Sequence, residues 1–547
     1  MGNTDSPVGI TFLWHMHQPM YINPQNGYYL LPWVRLHAIK DYYDMASFIE
    51  AVPEMRAVVN FVPSLLFQLE EYRRGTAHDL YLECSLKPVS HLASEDKLFL
   101  IKHFFTVNRQ RKIDPAARYR ELWQKRAQAN GQLEKALHFF SAQDYLDLQV
   151  LFNLAWCGPT LKKDAEVARL VAKDRGFTQK EKELLIAKQK ALIGKILPLY
   201  TKLQDCGQVE VSVSPFYHPL LPLVCDNYIA REAQPGVALP RNRFSYPDDA
   251  EEQIRRALEY TQKLFGKKPQ GMWPPEGAVS NKVLELAIQQ EIRWLATDET
   301  ILRKSLAANS DLPAEKLYSS YTFKNQRREV SLFFRNQSLS NLISFVYSSW
   351  DEEEAASDLF QRLLAERNRL GKNGEKYIIS IIMDGENAWE YFPNGGETFL
   401  PSLYQKIAAS REFKPMTFSS YLSQVNKKSQ VPFSAIASGS WIDGNFSTWI
   451  GEQAKNEAWD YLFQARKTLK EWVAHLTQDE RKKSHEIIER AANAIHIAEG
   501  SDWFWWLRSG EQPESERKFS ILFKLYLAEM YRILGLEIPP HLRPSGS

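Results

Sequence analysis

The chain has 547 residues, of which 44% are hydrophobic and 24% charged, and a formal net charge of +2. That length suits more than one domain or one large domain with insertions, and the composition is that of an ordinary globular protein. The small net charge argues against nucleic acid or an anionic membrane as a partner.

Cys84, Cys157, Cys206 and Cys225 show no C-x-x-C spacing, so neither a zinc ribbon nor a disulfide scaffold is expected. No apolar run reaches membrane-spanning length. The first residues lack the basic-then-apolar pattern of a secretion signal. Together these set the expectation of a reduced, cytoplasmic protein.

In chain order, seven short apolar runs rich in β-branched and aromatic residues read as strands: VGITFLWH, AVVNFVP, QVEVSVS, QGMWPPE, IRWLATD, VSLFFRN and YIISIIMD. Most are apolar throughout, the pattern of strands buried on both faces of a parallel sheet. Helical segments such as DDAEEQIRRALEYTQKLFG and SDLFQRLLAERNRLG separate them, which predicts repeated β-α units. Between the second and third runs, about residues 90–206 read almost wholly as helix, with Thr178 and Glu181 in capping-box spacing. Beyond about residue 430 three long helical segments predict a helical bundle. Between the last two lies GSDWFWWLRSG, too aromatic for a solvated loop. The expected division is therefore a catalytic region over 1–430 and a helical region over 431–547 that contributes to the cleft.

Polar and ring-bearing residues follow strand after strand: HMHQP, PFYHP, PPEG, TDET, RNQ and DGENAWEYF. Strand ends are where β/α barrels build active sites, so the fold class is read as α/β, an incomplete (β/α)7 barrel, with LISFVYS as a possible eighth strand.

Two carboxylates stand out. Glu276 is the one acid in GMWPPEGAVS, where paired prolines make a rigid turn, and Asp384 ends YIISIIMD before a glycine. Asp-Gly after a strand is by itself a turn. A pair of carboxyls on a barrel rim is what glycoside hydrolysis needs, one to attack and one to protonate the leaving oxygen. His15 and His17 alternate and so share a face. They suit sugar hydroxyls first, or a metal completed by His218, Asp384 or Glu386, as in a carbohydrate deacetylase. Trp273, Trp389, Trp441 and Trp503 lie in or beside these motifs as candidate stacking platforms. Asp502, before WFWW, also reads as a helix N-cap.

HMHQP, GQVEVSVSPFYHPLLPL, GMWPPEGAVS, MDGENAW and AEGSDWFWW, in this order, resemble the five motifs of glycoside hydrolase family 57. The resemblance implies an incomplete barrel and a retaining mechanism on α-glucans, with Glu276 as nucleophile and Asp384 as general acid/base. It implies sugar contacts from His15, His17 and His218 and an aromatic wall including Trp503. It implies no metal and no cofactor in the chemistry. At neutral pH Glu276 is expected charged and Asp384 protonated. The family includes amylases, amylopullulanases, 4-α-glucanotransferases and branching enzymes. YINPQNGYYLLPWVRLHAIKDYYDM is similar to its amylase and amylopullulanase side. Asn336 and Asn341, around Arg335, stand where the family pattern has aspartates. A metal-dependent esterase and a catalytically dead glucan-binding protein are the competing readings.

Overall fold

A computed structural model describes residues 6–308, 312–510 and 513–543. Its centre is a mostly parallel sheet of β1 (Val8–Met16), β2 (Ala57–Phe61), β3 (Val209–Val213), β4 (Gly271–Met272), β5 (Trp294–Asp298), β6 (Tyr321–Asn325), β7 (Arg328–Arg335), β8 (Ile378–Asp384), β9 (Phe413–Pro415) and β10 (Val431–Phe433). Their order is β8-β1-β2-β3-β4-β5-β7-β6-β10, with β9 also paired to β1. The first seven of that order run parallel and contain all seven runs read from the sequence. Every residue of β1 is buried, which explains why apolar residues occupy both faces of the strand. β6, β9 and β10 lie outside the runs read from the sequence; β6 pairs antiparallel with β7, β9 parallel with β1 and β10 parallel with β6.

LISFVYS is not a strand. Leu342–Val346 forms a turn of π-helix and Tyr347–Ser349 a 3-10 turn. An apolar run this short does not by its periodicity distinguish strand from helix. The gap between β7 and β8 is bridged differently. Asn336 N donates to Ser380 O at 2.9 Å, Ile382 N donates to Ser340 Oγ at 3.2 Å, and Arg335 Nε donates to Ile382 O at 2.7 Å.

β4 is only two residues long because Pro274 and Pro275 follow it and have no N–H for a ladder. Gly271 is required there: a Cβ would fall 1.7 Å from the Trp294 ring.

Across 80–205 the described elements are helical. Thr178 caps Gln179–Ile193 with the expected box, its Oγ1 accepting from Glu181 N while Thr178 N donates to Glu181 Oε2 at 2.8 Å. Near the C-terminus, Gln453–Ala474, His485–Ala498 and Glu514–Ile533 pack on one another. The sequence pattern predicts the second of these as one helix from 478; it breaks at Ser484 after Gln478–Lys483. Arg466 of Gln453–Ala474 ties these helices to the sheet region. Its Nε and Nη2 donate to both oxygens of Asp249, on Pro247–Phe265, at 2.6 and 2.9 Å. Gln253, one turn on, donates to Glu499 Oε2 at 2.6 Å, just before the aromatic motif. Among the described residues no helix is long and apolar enough to cross a membrane.

Candidate active site

A cavity of about 710 Å³ opens at the C-terminal ends of the strands and is lined by His15, His17, His218, Glu276, Asp384, Trp441 and Asp502 among others. Seven of the ten residues singled out from the sequence thus meet in one place, although they span nearly the whole chain.

Glu276 is held by its backbone. It has φ 58° and ψ 24°, the left-handed region, which costs a non-glycine residue on the order of 1–3 kcal/mol. Gly277 N donates to Pro274 O at 2.8 Å and Trp441 N donates to Glu276 O at 2.9 Å, so the turn is fixed on both sides. The carboxyl is fixed as well: Trp441 Nε1 donates to Oε2 at 3.1 Å and Ser501 Oγ donates to Oε1 at 3.0 Å. Burial and the Asp502 carboxylate push Glu276 up to about 7, with Asp384 adding to the lift. Asp384, the last residue of β8, lies in register with His15 of β1 and accepts from Asn387 Nδ2 at 2.8 Å. Burial raises it too. Both carboxyls are therefore lifted, Asp384 in the direction expected of a proton donor and Glu276 against the direction expected of a charged nucleophile.

The histidines form a column. The rings of His17 and His218 stack at 3.9 Å, and His15 stacks on His218 at 5.0 Å. His15 Nδ1 donates to Asn60 Oδ1 at 2.7 Å, so its Nε2 is left as an acceptor. Burial, then the neighbouring His17, lower His15 to about 3, and burial holds His218 well below its usual range. His17 Nε2 donates to both oxygens of Asp502 at 2.9 Å. Asp502 is thus not a helix cap; Gly500 is the N-cap residue, and Asp502 turns into the cavity.

His17, His218 and Asp502 each bring a ligand-type atom within 4.8 Å of the others. The two rings lie nearly parallel, 23° apart, so their in-plane lone pairs run side by side and do not converge on one point. This donor set fits hydrogen bonding better than metal ligation. Glu386 is buried behind His17, accepting from His17 N at 3.1 Å, and burial raises it well above the usual carboxylate range.

Three tryptophans are placed differently from the sequence reading. Trp273, Trp389 and Trp503 do not line the cavity. Trp273 is buried edge-on behind Trp441 at 5.2 Å, Trp389 turns into the core and donates to Gly385 O at 2.8 Å, and Trp503, 1% exposed, donates to Ile497 O. Each ring is consumed by packing, which is the usual fate of so large a side chain. Beside Trp441, the aromatic lining comes from Tyr21, Trp33, Trp156, Tyr391, Trp505, Trp506 and Phe519. Trp505 and Trp506 lie in the same WFWW stretch, so the motif pointed at the right segment and helical phase chose the residues. Trp156, from the helical insertion, carried no signal in the sequence.

Arg335 sits over the Trp441 ring at 5.5 Å. It donates to Asp298 Oδ2 at 3.1 Å and to Asn341 Oδ1 at 2.7 Å, so Asp298 supplies the charge that Asn341 lacks. Asn336 instead caps the following helix, accepting from Leu339 N at 2.8 Å.

The aligned part of the chain is 21% identical, over 401 residues, to a 1,4-alpha-glucan branching enzyme of Thermococcus kodakarensis, covering 60% of this chain and 54% of that enzyme, about half its length. The structure is similar to that of a GH57-type branching enzyme from Pyrococcus horikoshii, with TM-score 0.62, 17% identity, and coverage of 96% of this chain and 89% of that one. It is also similar to the α-amylase AmyC from Thermotoga maritima, with TM-score 0.57, 14% identity, and coverage of 97% and 94%. At these identities the structural likeness speaks for the fold. The model of glycosyl hydrolase family 57 matches residues 11–434, a stretch that takes in His15, His218, Glu276 and Asp384, and the chain belongs to that family.

Proposed function

We propose that the protein cleaves α-1,4-glucosidic bonds in starch- or glycogen-type glucans with retention of configuration. The observation that carries this reading is that Glu276 and Asp384 leave two different strand ends and line one cavity. Glu276 is the nucleophile. Its two oxygens are already oriented by Ser501 and Trp441, so little reorganisation precedes attack on the anomeric carbon. Asp384, raised by burial, gives its proton to the glycosidic oxygen as the C–O bond breaks, leaving a β-glycosyl ester on Glu276. In the second step Asp384 takes a proton from an incoming hydroxyl, which attacks the anomeric carbon and releases Glu276.

The bare Nε2 of His15 accepts from a sugar hydroxyl, His17 and His218 add further polar contacts, and Trp441 and Trp505 supply apolar faces for the sugar rings. In this reading residues 1–430 are the catalytic region, its helical insertion at about 90–206 contributing Trp156, and 431–547 close the cleft through Asp502 and Trp505. The chemistry uses no cofactor. The four unpaired cysteines agree with a cytoplasmic setting.

The incoming hydroxyl decides the product. Water gives hydrolysis, which we favour, and a glucan hydroxyl gives chain transfer or branching. The second reading is supported by the curated branching enzyme with which this chain aligns. Incubation with amylose, pullulan and maltooligosaccharides, with reducing ends, iodine staining and debranched chain lengths measured together, separates the two. Loss of iodine colour with rising reducing ends means hydrolysis, and loss of colour with new α-1,6 branches means branching. No change in any glucan defeats the proposal.

A further inference from the structure

Ser501, the first residue of the helix Ser501–Trp506, is fully buried. Its Oγ lies 2.9 Å from His218 Nδ1 and 3.0 Å from Glu276 Oε1, whereas those two atoms are 3.9 Å apart, beyond a hydrogen bond of their own. A hydroxyl has one proton to give. When Glu276 is ionised it can only accept, so Ser501 donates to it and accepts from His218 Nδ1–H, which leaves His218 Nε2 bare. When Glu276 is protonated the chain reverses. Glu276 donates to Ser501, Ser501 donates to His218 Nδ1, and Nε2 carries the ring proton. His218 Nε2 is buried without a protein partner, on a ring that lines the cavity. The two states of Glu276 therefore offer a bound sugar opposite groups, an acceptor or a donor.

We propose that Ser501 is a positioning residue that couples the ionisation of Glu276 to the tautomer of His218, so that a sugar hydroxyl donating to His218 Nε2 holds the nucleophile charged and aimed. The inference rests on the reading of Glu276 as nucleophile. The protons balance: on ionisation the Glu276 proton passes to Ser501, the Ser501 proton to His218 Nδ1, and the Nε2 proton leaves to solvent. The other groups facing this pair are Asp502, Asp384, His17, His15 and the Trp441 indole.

The backbone supports the assignment. Ser501 N donates to His218 O at 2.9 Å, and His218, like Glu276, has a left-handed φ of 58°. Both partners are thus held against the hydroxyl by strained, hydrogen-bonded turns, and Gly500 permits the approach: a Cβ there would meet Tyr217 O at 2.8 Å.

The test uses the full chain with maltoheptaose and compares wild type, Ser501→Ala and Ser501→Thr. In wild type the acidic limb of kcat/KM, which reports the free enzyme, lies near pH 7, and that of kcat, which reports the complex, lies lower. Ser501→Ala lowers kcat by about 10- to 100-fold, the loss expected for one hydrogen bond to a charged group, and brings the two limbs together. Ser501→Thr, which keeps the hydroxyl, restores the separation. Independently, the ¹⁵N shifts of His218 in wild type move from the Nε2–H to the Nδ1–H pattern as pH rises through the Glu276 titration. Wild-type kcat and separate limbs in the alanine variant, or one tautomer throughout the titration, overturn the coupling. A wild-type protein inactive on every glucan defeats the parent reading instead, and the nitrogen shifts still decide the coupling.

Discussion

Trp441 holds Glu276 by two bonds at once, its backbone N–H on Glu276 O at 2.9 Å and its indole N–H on Glu276 Oε2 at 3.1 Å, across 165 residues of chain. The first bond supports the left-handed turn and the second stabilises the charged carboxylate. Trp441→Phe keeps the first and removes the second. It should lower kcat about 10- to 100-fold, the effect of one hydrogen bond to a charged group, with the melting temperature little changed. An unaltered kcat would show the indole to be packing only.

Glu276 should cost stability in the pH range where the enzyme works. The unfolded chain releases this proton near pH 4.5 and the folded chain near 7. Between those values the folded state binds more protons, so stability falls as pH rises. The penalty is absent below about pH 4.5 and complete above about pH 7, where a shift of that size amounts to ~3 kcal/mol. Glu276→Gln, which cannot ionise, should therefore be more stable than wild type at about pH 8 and equal to it at about pH 4. Denaturant curves at the two pH values check this, and equal curves at both would mean the carboxyl is not lifted.

The two carboxyls should separate by chemical rescue. With α-maltosyl fluoride, whose leaving group needs no proton, Asp384→Ala should still form the glycosyl-enzyme and then stall. Azide attacking from the vacated acid/base side should release the α-glycosyl azide. Glu276→Ala should give no covalent intermediate with any substrate. Intact-protein mass spectrometry and peptide mapping read the outcome, and a label on Asp384 would reverse the roles.

Neighbouring tryptophans should behave oppositely. Trp503 is 1% exposed and Trp505 is 40% exposed and lines the cavity. Trp503→Ala should destabilise the fold by ~3–5 kcal/mol, the usual cost of emptying a buried aromatic site. Trp505→Ala should leave the melting temperature near wild type and raise KM for long glucans. Calorimetry and kinetics on the same two variants decide, and the reverse pattern would return the stacking role to Trp503.

The clamp between Arg466 and Asp249 should carry the attachment of the C-terminal helices. Burial by itself would raise Asp249, and the His496 ring 3.8 Å away together with the Arg466 hydrogen bonds holds it below the usual carboxylate range instead. Arg466→Met strands a buried carboxylate and should cost ~3–5 kcal/mol, measured by urea unfolding. Activity should fall with it, because Gln253 and Glu499 transmit the position of this helix pair to Ser501.

Much of this molecule was legible from its residues alone. Seven strands were readable because most are buried on both faces, so that side-chain polarity does not alternate along them and the apolar runs are largely unbroken; QVEVSVS, which alternates, was readable from its β-branched content. The two carboxyls were readable because Pro274 and Pro275 forbid regular structure around Glu276, and because Asp384 abruptly ends an apolar strand. What local sequence could not supply was direction. Trp389 and Trp503 share motifs with cavity residues, yet a turn of a few residues points their rings inward, while Trp505 and Trp506 point out. LISFVYS is as apolar as a strand, and its helical form follows from Asn336 capping the preceding turn and from residues 335–340 already bridging β7 and β8. The charge on Glu276 was beyond the sequence for the same reason. It is set first by burial and then by Asp502 and Ser501, both more than 200 positions away. Local chemistry is written in neighbours along the chain, and the electrostatics of a buried site is written in neighbours through space, which exist only once the chain has folded.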